Sequence, residues 1–211
     1  MNAEGEKLWQ DGLEFPASGG LLIVEHFGLP FPSSKPVLPM IIASIDTIPA
    51  RVLLLMGVSG CGKTTVGQMV AERIGCPFVD ADELHSPANK AKMRAKIPLT
   101  DEDRWPWLQR VREVLDATAP GRQCVVACSA LKRAYRRVLM EGAEGVRLIY
   151  LRGSFDLISE RLAARRGHFM PPDLLRSQFA SLEEPGPEEG CSVNISSDPE
   201  SLVEACLAAA R

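Results

Sequence analysis

The chain has 211 residues, of which 45% are hydrophobic and 24% are charged, and these proportions are ordinary for a globular protein. The net charge of −3 and the pI near 5.7 argue against a general binder of nucleic acids or of anionic membranes. No run of about 18 apolar residues occurs, so no membrane-spanning helix is predicted. We therefore expect neither nucleic acid nor membrane among its partners.

Residues 1–50 differ from the rest of the chain, because they are rich in proline and show no sustained period of 2 or 3.6. We interpret them as an N-terminal extension of low order, outside a catalytic domain at 51–211. Their acidic residues do not favour a transit peptide, and no basic start followed by an apolar stretch indicates a secretory signal.

Six cysteines are present, without a C-x-x-C pair or histidines at zinc spacing. Cys124 and Cys128 flank an apolar run and are predicted to be small buried side chains. Free thiols suit a reducing compartment, so a cytoplasmic protein is predicted.

From residue 51 onward, apolar segments without alternation are separated by segments of helical period. This order predicts an α/β domain in which a parallel sheet is covered by helices on both faces. The predicted strands are 52–56, 77–80, 123–128, 146–151 and 192–195. The predicted helices are 64–74, the segment after residue 80 to about 94, 105–117, 131–140, 155–165, 172–182 and a last helix that starts at 198.

The sequence GVSGCGKT at 57–64 fits the phosphate-binding pattern G-x-x-x-x-G-K-[ST]. A strand precedes it and a helix follows it, and this context favours a phosphate loop over a glycine-rich turn with a chance lysine. We expect Lys63 to reach the β- and γ-phosphates of a nucleoside triphosphate, and the Thr64 hydroxyl to bind Mg²⁺. The residues predicted to contact the nucleotide are Gly57, Val58, Ser59, Gly60, Cys61, Gly62, Lys63, Thr64 and Thr65.

Two carboxylates follow the second strand, at the edge where parallel sheets place their sites. Asp80 and Asp82 are two residues apart, so in extended backbone both would point toward the phosphate loop. One would bind Mg²⁺, for which Asp80 is the candidate, and the other would orient or deprotonate an attacking hydroxyl. In the alternative interpretation Asp82 caps the next helix and Asp80 lies in a turn. His85 is either a substrate ligand or a hydrogen-bonded turn residue.

Basic residues after the third strand could neutralise an anionic substrate. Lys132 and Arg136 are four residues apart on a predicted helix and could both face the cleft. Arg104 could bind a carboxylate in a bidentate pair. Arg161 and Arg165 are also four apart, and we expect them to contact phosphates from a lid at about 161–175 that excludes water.

Beyond residue 50 the chain resembles the gluconokinases of the small P-loop type. The stretches that carry this resemblance are MGVSGCGKTTVG, DADELHSPANKAKM, PLTDEDRWPWL, CSALKRAYRRVL and RLAARRGHFMPPDLLRSQFASLEEP. The resemblance implies the fold of the nucleoside monophosphate and shikimate kinases, with strand order 2-3-1-4-5. It also implies the reaction of ATP with D-gluconate, in the presence of Mg²⁺, to ADP and 6-phosphogluconate.

The resemblance implies roles for particular residues as well. Asp82 or Asp80 would orient the primary hydroxyl, and Arg161 and Arg165 would close over the transferred group. The substrate would be bound by Asp82, Arg104, Lys132, His168 and Arg136 or His85. A homodimer is one alternative for the assembly.

The chain departs from many relatives at two positions. Cys61 replaces a serine, and little loss is expected because this position supplies a backbone N–H. Lys96 replaces a glycine, and a positive φ there would strain the lysine by about 1 kcal/mol or more.

Other functions stay open at this point. One is a kinase for shikimate, a nucleotide or another sugar acid, and another is a nucleotide-dependent regulatory switch. The sequence NKAK at 89–92 lacks the Asp of a guanine-reading N-K-x-D, which argues against the switch.

Overall fold

The computed structural model describes residues 50–118, 120–164 and 172–211, which form a five-stranded parallel sheet with helices on both faces. The strand order β2-β3-β1-β4-β5 confirms the predicted fold class. The predicted extension lies outside the described residues, apart from Ala50. The strands are β1 Val52–Met56, β2 Phe78–Asp80, β3 Cys124–Ala127, β4 Val146–Arg152 and β5 Gly190–Asn194.

Six helices and one 3₁₀ turn connect these strands in the described part of the chain, and a seventh helix follows β5. None of these helices is long and apolar enough to cross a membrane. The helices are α1 Lys63–Ile74, α2 Pro87–Arg94, α3 Asp101–Ala117, α4 Arg133–Met140, α5 Phe155–Ala164, α6 Pro172–Ser181 and α7 Pro199–Ala210, and the 3₁₀ turn is Ala81–Leu84.

The sheet separates two hydrophobic cores. Leu53 and Leu55 of β1 face the core shared with α1 and α7, whereas Leu54 and Met56 face the core shared with α3 and α4. Side chains on both faces are therefore buried, which explains why the strands appear in the sequence as continuous apolar runs. Because all pairs are parallel, the loops after β1, β2 and β3 lie at one edge of the sheet.

Helix α3 starts four residues earlier than the sequence predicted. Thr100 caps it in a reciprocal capping box, in which the Thr100 hydroxyl accepts from Asp103 N and the Asp103 carboxylate accepts from Thr100 N. Pro106, which was predicted for the first turn, lies inside the helix. The prediction missed this start because it took Pro106 as the marker of the first turn.

The segment after β2 is two elements, not the single helix that the sequence predicted. The 3₁₀ turn ends at Leu84, and α2 begins after Ser86, whose hydroxyl accepts from Asn89 N. Helix α4 also starts two residues later than predicted, because residues 129–132 form a loop in which Ala130 has a φ of 41°. Strand β5 begins at Gly190, two residues before its predicted start.

All six cysteines are free thiols in the structure. Cys124 and Cys128 are buried, as predicted, and this burial raises the pKa of both thiols to about 12. They are therefore protonated and unreactive at neutral pH.

Lys96 has a φ of 60°, the left-handed conformation that favours glycine. We expect Lys96→Gly to raise the free energy of unfolding by about 0.5–1 kcal/mol, because the strain removed exceeds the added chain entropy. Urea denaturation of the variant measures this. Ala91→Gly, at an exposed position inside α2, is the control for the backbone effect and should lower stability instead. A destabilised Lys96→Gly variant would contradict the strain argument.

Candidate active site

The phosphate loop is built around three glycines in positive-φ conformations. Gly57, Gly60 and Gly62 have φ angles of 146°, 83° and 100°. A Cβ at Gly57 would lie 2.7 Å from Cys61 Sγ and 3.0 Å from Leu151 O, so a side chain would not fit there. Gly62 directly precedes α1, which places the positive end of the helix dipole beside the loop. The sequence motif therefore has the backbone that phosphate binding requires.

Other residues of the loop and of the first turn of α1 differ in whether their side chains are buried or exposed. Val58 and Cys61 bury their side chains in the core, so they offer a ligand their backbone groups alone. This fits the expectation that cysteine at position 61 costs little. Thr65 is exposed on the first turn of α1, next to Thr64.

Lys63 lies across the mouth of the phosphate loop. Its ammonium group donates to the carbonyl oxygens of Gly57, at 2.8 Å, and of Val58, at 3.0 Å. These neutral acceptors hold the cation in place without cancelling its charge. A triphosphate that enters the loop therefore meets a positioned ammonium group.

Thr64 and Asp80 form the oxygen pair expected for a magnesium site. The Thr64 hydroxyl donates to Asp80 Oδ2 at 3.0 Å, which brings the end of β2 to the start of α1. A hydroxyl and a carboxylate are hard oxygen ligands of the kind that Mg²⁺ uses beside phosphate oxygens and water. The residues at this position therefore fit the ion that the sequence predicted.

Asp80 also caps the 3₁₀ turn, and this corrects the sequence analysis in two respects. Its Oδ1 accepts from Asp82 N at 3.1 Å, so Asp80 is the cap and Asp82 is not. Because Asp82 lies in the 3₁₀ turn, the premise that both carboxylates sit in extended backbone is wrong.

Asp82 nevertheless lies within the electrostatic influence of the phosphate loop. Desolvation is the largest effect on the pKa of its carboxyl and raises it above the usual range. The positive charge of Lys63 lowers this pKa, and the negative charges of Asp80 and Glu83 raise it. Its side chain still has solvent-exposed surface, so the desolvation is partial and its effect on stability is small. Among the described residues no donor bonds to the Asp82 carboxylate, which leaves it available to a substrate hydroxyl.

Arg104 and Lys132 come together, although 28 positions separate them in the sequence. Lys132 Nζ donates to both carboxylate oxygens of Asp101 at 2.8 Å, and Arg104 Nη1 lies 3.8 Å from Asp101 Oδ1. Both cations also lie over the Tyr135 ring, at 5.8 Å for Arg104 and 5.5 Å for Lys132. Two cations against one carboxylate leave a net charge of +1, which suits a monoanionic substrate.

Asp101 and Tyr135 are members of this cluster that the sequence analysis missed. The Tyr135 hydroxyl donates to Asp101 Oδ1 at 2.5 Å, and the Lys132 hydrogen bond is the main cause that lowers the pKa of Asp101. Asp101 is one of several acidic residues at the start of a helix, where carboxylates usually interact favourably with the positive end of the helix dipole. Tyr135 follows Lys132 by three residues, and this spacing is the signal that could have identified it.

Arg136 does not face the cleft, and its predicted role in substrate binding is wrong. Its side chain is 1% exposed, and its guanidinium forms a two-point pair with Glu189, at 2.7 and 3.0 Å. Nη1 donates to the carbonyl oxygens of Ala130, Leu131 and Glu183. The guanidinium therefore fastens the loop before α4 to the loop before β5. Its hydrogen bonds are also the main cause that lowers the pKa of Glu189 to about 2.

We expect Arg136→Met to lower the free energy of unfolding by about 2–4 kcal/mol, because the Glu189 carboxylate loses its two-point partner and keeps Arg133 as its ion-pair partner, at 3.2 Å. Chemical denaturation followed by circular dichroism measures this. The neighbouring Arg137, which is exposed, provides the matched control, and Arg137→Met should stay within about 0.5 kcal/mol of the parent. If Arg136→Met kept its stability and lost affinity for substrate alone, the structural role would be refuted.

His85 is a neutral, stacked residue beside the cluster. It is 6% exposed and stacks on Trp107 with ring centroids 4.3 Å apart. Asn89 Nδ2 donates to Asp103 O at 2.7 Å and lies 3.4 Å from His85 Nδ1, an arrangement that favours the tautomer with Nδ1 as acceptor and the proton on Nε2. Burial lowers the pKa of His85 to about 4, and Arg104 and Lys90 contribute to the shift.

The low pKa of His85 predicts a loss of stability in acid. Since the ordinary pKa near 6.5 exceeds the folded value, the unfolded chain binds more protons below pH 6.5. Protonation of His85 in the unfolded chain should lower the free energy of unfolding of the parent by about 2 kcal/mol between about pH 7 and pH 5. The His85→Gln variant should not show this loss. Urea denaturation of both proteins at each pH isolates the contribution of His85. Parallel pH curves for the parent and the variant would show that His85 is not the cause.

Arg161 is the one predicted lid arginine within the described residues. Its Nη2 donates to Ile195 O at 2.6 Å, so α5 is joined to the segment after β5. Arg165 and His168 lie outside the described residues, and so does the middle of the lid predicted at 161–175.

Comparisons with known proteins agree with this geometry. A family model described as shikimate kinase matches residues 59–185. The probable gluconokinase of Mus musculus is 45% identical over 163 residues, which cover 68% of this chain and 89% of the mouse protein. The thermosensitive gluconokinase of Escherichia coli K12 is 40% identical over 156 residues, which cover 72% of this chain and 83% of that protein. The crystal structure of a gluconokinase from Sinorhizobium meliloti 1021 has a TM-score of 0.70 at 43% identity, and the match covers 77% of this chain and 91% of that chain.

The parallel sheet, the phosphate loop and the Thr64–Asp80 pair define a kinase of the P-loop class. Within that class, the gluconokinases of mouse, Escherichia coli and Sinorhizobium meliloti match this chain over most of their own length. The chain belongs to the gluconokinase family.

Proposed function

We propose that this protein transfers the γ-phosphoryl group of ATP to the primary hydroxyl of D-gluconate and forms 6-phospho-D-gluconate and ADP. The family membership supports this acceptor. The structural observation that supports the proposal is the cluster of Arg104 and Lys132 around Asp101. Its net charge of +1 matches the single carboxylate of gluconate.

In the proposed mechanism the phosphate loop and Lys63 bind the triphosphate. Thr64 and Asp80 would hold Mg²⁺, which supplies positive charge to the phosphate oxygens when bound. Because the transition state of phosphoryl transfer is loose, most of the catalysis comes from positioning and from charge.

Asp82 is the proposed base. Asp80 is already committed to the Thr64 hydroxyl and to the Asp82 N–H, whereas the Asp82 carboxylate can accept a hydrogen bond from the substrate. It orients the primary hydroxyl, whose oxygen bonds to the γ-phosphorus. The hydroxyl proton passes to Asp82 as the bond from phosphorus to the bridging oxygen of ADP breaks.

Arg104 and Lys132 bind the substrate carboxylate, and Asp101 and Tyr135 hold these two cations in position. His85, whose Nε2 carries the proton, is a hydrogen-bond donor for a sugar hydroxyl. Arg161, Arg165 and His168 stay proposed contacts of the phosphates and the substrate. A homodimer and a cytoplasmic location also stay predictions from the sequence.

An ADP-release assay with a panel of acceptors tests the proposal. Turnover should require D-gluconate and Mg²⁺, and it should stay at background with shikimate, nucleoside monophosphates or other sugar acids. ADP release without any acceptor would instead support a regulatory switch. Preference for another acceptor would overturn the assignment of gluconate.

A further inference from the structure

Helix α6 carries one amide side chain on its apolar face. Leu175 and Phe179 of this helix and Leu182 directly after it pack in the core, with the spacing of one helix face. Gln178 stands between them, on the same side as Leu175 at a spacing of three residues. A polar group on such a face is unfavourable unless it has partners, so its contacts are informative.

Among the residues that the structure describes, both hydrogen-bond partners of Gln178 are groups of Ser59 in the phosphate loop. The backbone N–H of Ser59 donates to Gln178 Oε1 at 2.7 Å, and Gln178 Nε2 donates to Ser59 Oγ at 3.0 Å. These two hydrogen bonds are half-buried and join residues that are 119 positions apart. They fix both the backbone plane and the side chain of Ser59.

The next residue of the loop is held from another helix. Gly60 packs against Leu162 of α5 so closely that a Cβ at Gly60 would lie 2.7 Å from Leu162 Cγ. The tip of the phosphate loop, Ser59 and Gly60, is thus fixed by a polar contact from α6 and an apolar contact from α5. A glycine-rich loop has high conformational entropy, and these contacts remove part of that cost before the nucleotide binds.

We propose that Gln178 is a positioning residue for phosphoryl transfer, which holds the phosphate-loop tip in its nucleotide-binding conformation. Its amide is suited to this place because it supplies an acceptor and a donor without adding charge beside the triphosphate. A glutamate of the same shape could accept from both the Ser59 N–H and the Ser59 hydroxyl. It would also place a negative charge next to the anionic ligand.

Two variants separate a positioning role from a purely structural one. If Gln178 serves only to join α6 to the loop, Gln178→Ala lowers thermal stability but binds nucleotide like the parent. If Gln178 positions the loop for the triphosphate, Gln178→Ala weakens binding through lost order, and Gln178→Glu, which keeps both hydrogen bonds, weakens it through repulsion alone.

Calorimetric titration with Mg²⁺ and a non-hydrolysable ATP analogue, without any acceptor, tests the proposal. We expect the Kd to rise about tenfold in Gln178→Ala, which loses two hydrogen bonds, at low and at high salt concentration. In Gln178→Glu the Kd should rise by a factor that shrinks as salt screens the added charge. The KM for gluconate should stay within about twofold of the parent in both variants, since its cationic subsite lies on α3 and in the loop before α4. Ser177→Ala, on the same helix but bonded within it, is the matched control and should bind nucleotide like the parent.

Parent-like affinity in Gln178→Ala would overturn the proposal. A parent-like Kd for Gln178→Glu at low salt concentration, or an equal rise in the KM for gluconate, would overturn it as well. Thermal denaturation of each variant shows that a folded protein is compared. The proposal rests on the kinase activity but not on the acceptor, because the titration contains nucleotide alone. Its failure is therefore distinguishable from failure of the gluconate assignment.

Discussion

The Lys63→Ala variant should lose about 10³-fold or more in kcat while it keeps its fold. Lys63 is the cation held at the mouth of the phosphate loop, and the carbonyl oxygens of Gly57 and Val58 hold it there without neutralising it. Charge develops on the transferred phosphoryl group in the transition state, and a positioned ammonium group stabilises that charge without reorganisation. Steady-state kinetics with ATP and gluconate measure the loss.

Two further variants make this result specific. Lys63→Met keeps the apolar stem of the side chain, so it should lose activity to the same extent if the charge is the cause. Arg73 lies at the far end of the same helix and pairs with exposed glutamates, so Arg73→Ala should keep parent-like kinetics. A Lys63→Ala variant with the parent rate would refute the assignment of the phosphate loop as the catalytic site.

The Asp82→Asn variant should lower kcat by about 10²–10⁴-fold, because it removes the proposed base and keeps the shape of the side chain. In the parent, kcat should fall as the pH drops through the pKa of Asp82, which desolvation raises above 3.8. The residual rate of the variant should lack this acid limb. A pH profile of kcat for both proteins tests the two statements together.

Asp80→Asn should behave differently, because Asp80 is bonded to Thr64 in the proposed magnesium site. It should raise the Mg²⁺ concentration needed for half-maximal turnover, whereas Asp82→Asn should leave that concentration unchanged. Glu83→Gln changes the charge equally in the same 3₁₀ turn and should stay within about twofold of the parent rate. If Asp80→Asn removed the acid limb and Asp82→Asn kept it, the two roles would be reversed.

The raised pKa of Asp82 also has a consequence for stability. Since the folded value exceeds the unfolded one, the folded chain binds more protons in the window between them, and stability falls as the pH rises through that window. Asp82→Asn should therefore be at least as stable as the parent at neutral pH. The gain is small because the carboxylate keeps contact with solvent. This result would separate lost chemistry from lost folding.

The phosphate loop could be predicted because all of its determinants are contiguous. The buried strand, the glycines, Lys63 and the following helix lie in one segment, so local sequence specifies both the backbone and the charge. The same holds for the sheet, whose continuous apolar strands and intervening helices indicate a parallel arrangement. Helix starts were less predictable, since the capping box at Thr100 overrode the signal of Pro106.

The positively charged residues show where periodicity fails. Lys132 and Arg136 are four apart, and a helical pattern predicts that they share a face. In the structure Lys132 precedes the helix and reaches Asp101, whereas Arg136 is buried against Glu189. A spacing of four residues predicts that two side chains are neighbours on a helix. It does not predict which distant carboxylate each side chain contacts.

The sequence by itself determined the parallel α/β fold and the phosphate-loop motif in which Lys63 and Thr64 are the proposed contacts of a nucleoside triphosphate, because both depend on contiguous residues. Only the tertiary structure decided which carboxylates and cations work together. Asp80 takes the capping role and leaves Asp82 available, and Asp101 assembles Arg104 and Lys132. Gln178 reaches Ser59 across 119 positions. The physical reason is that hydrogen bonds and ion pairs depend on distances of about 3–4 Å in space, which packing sets and spacing along the chain does not.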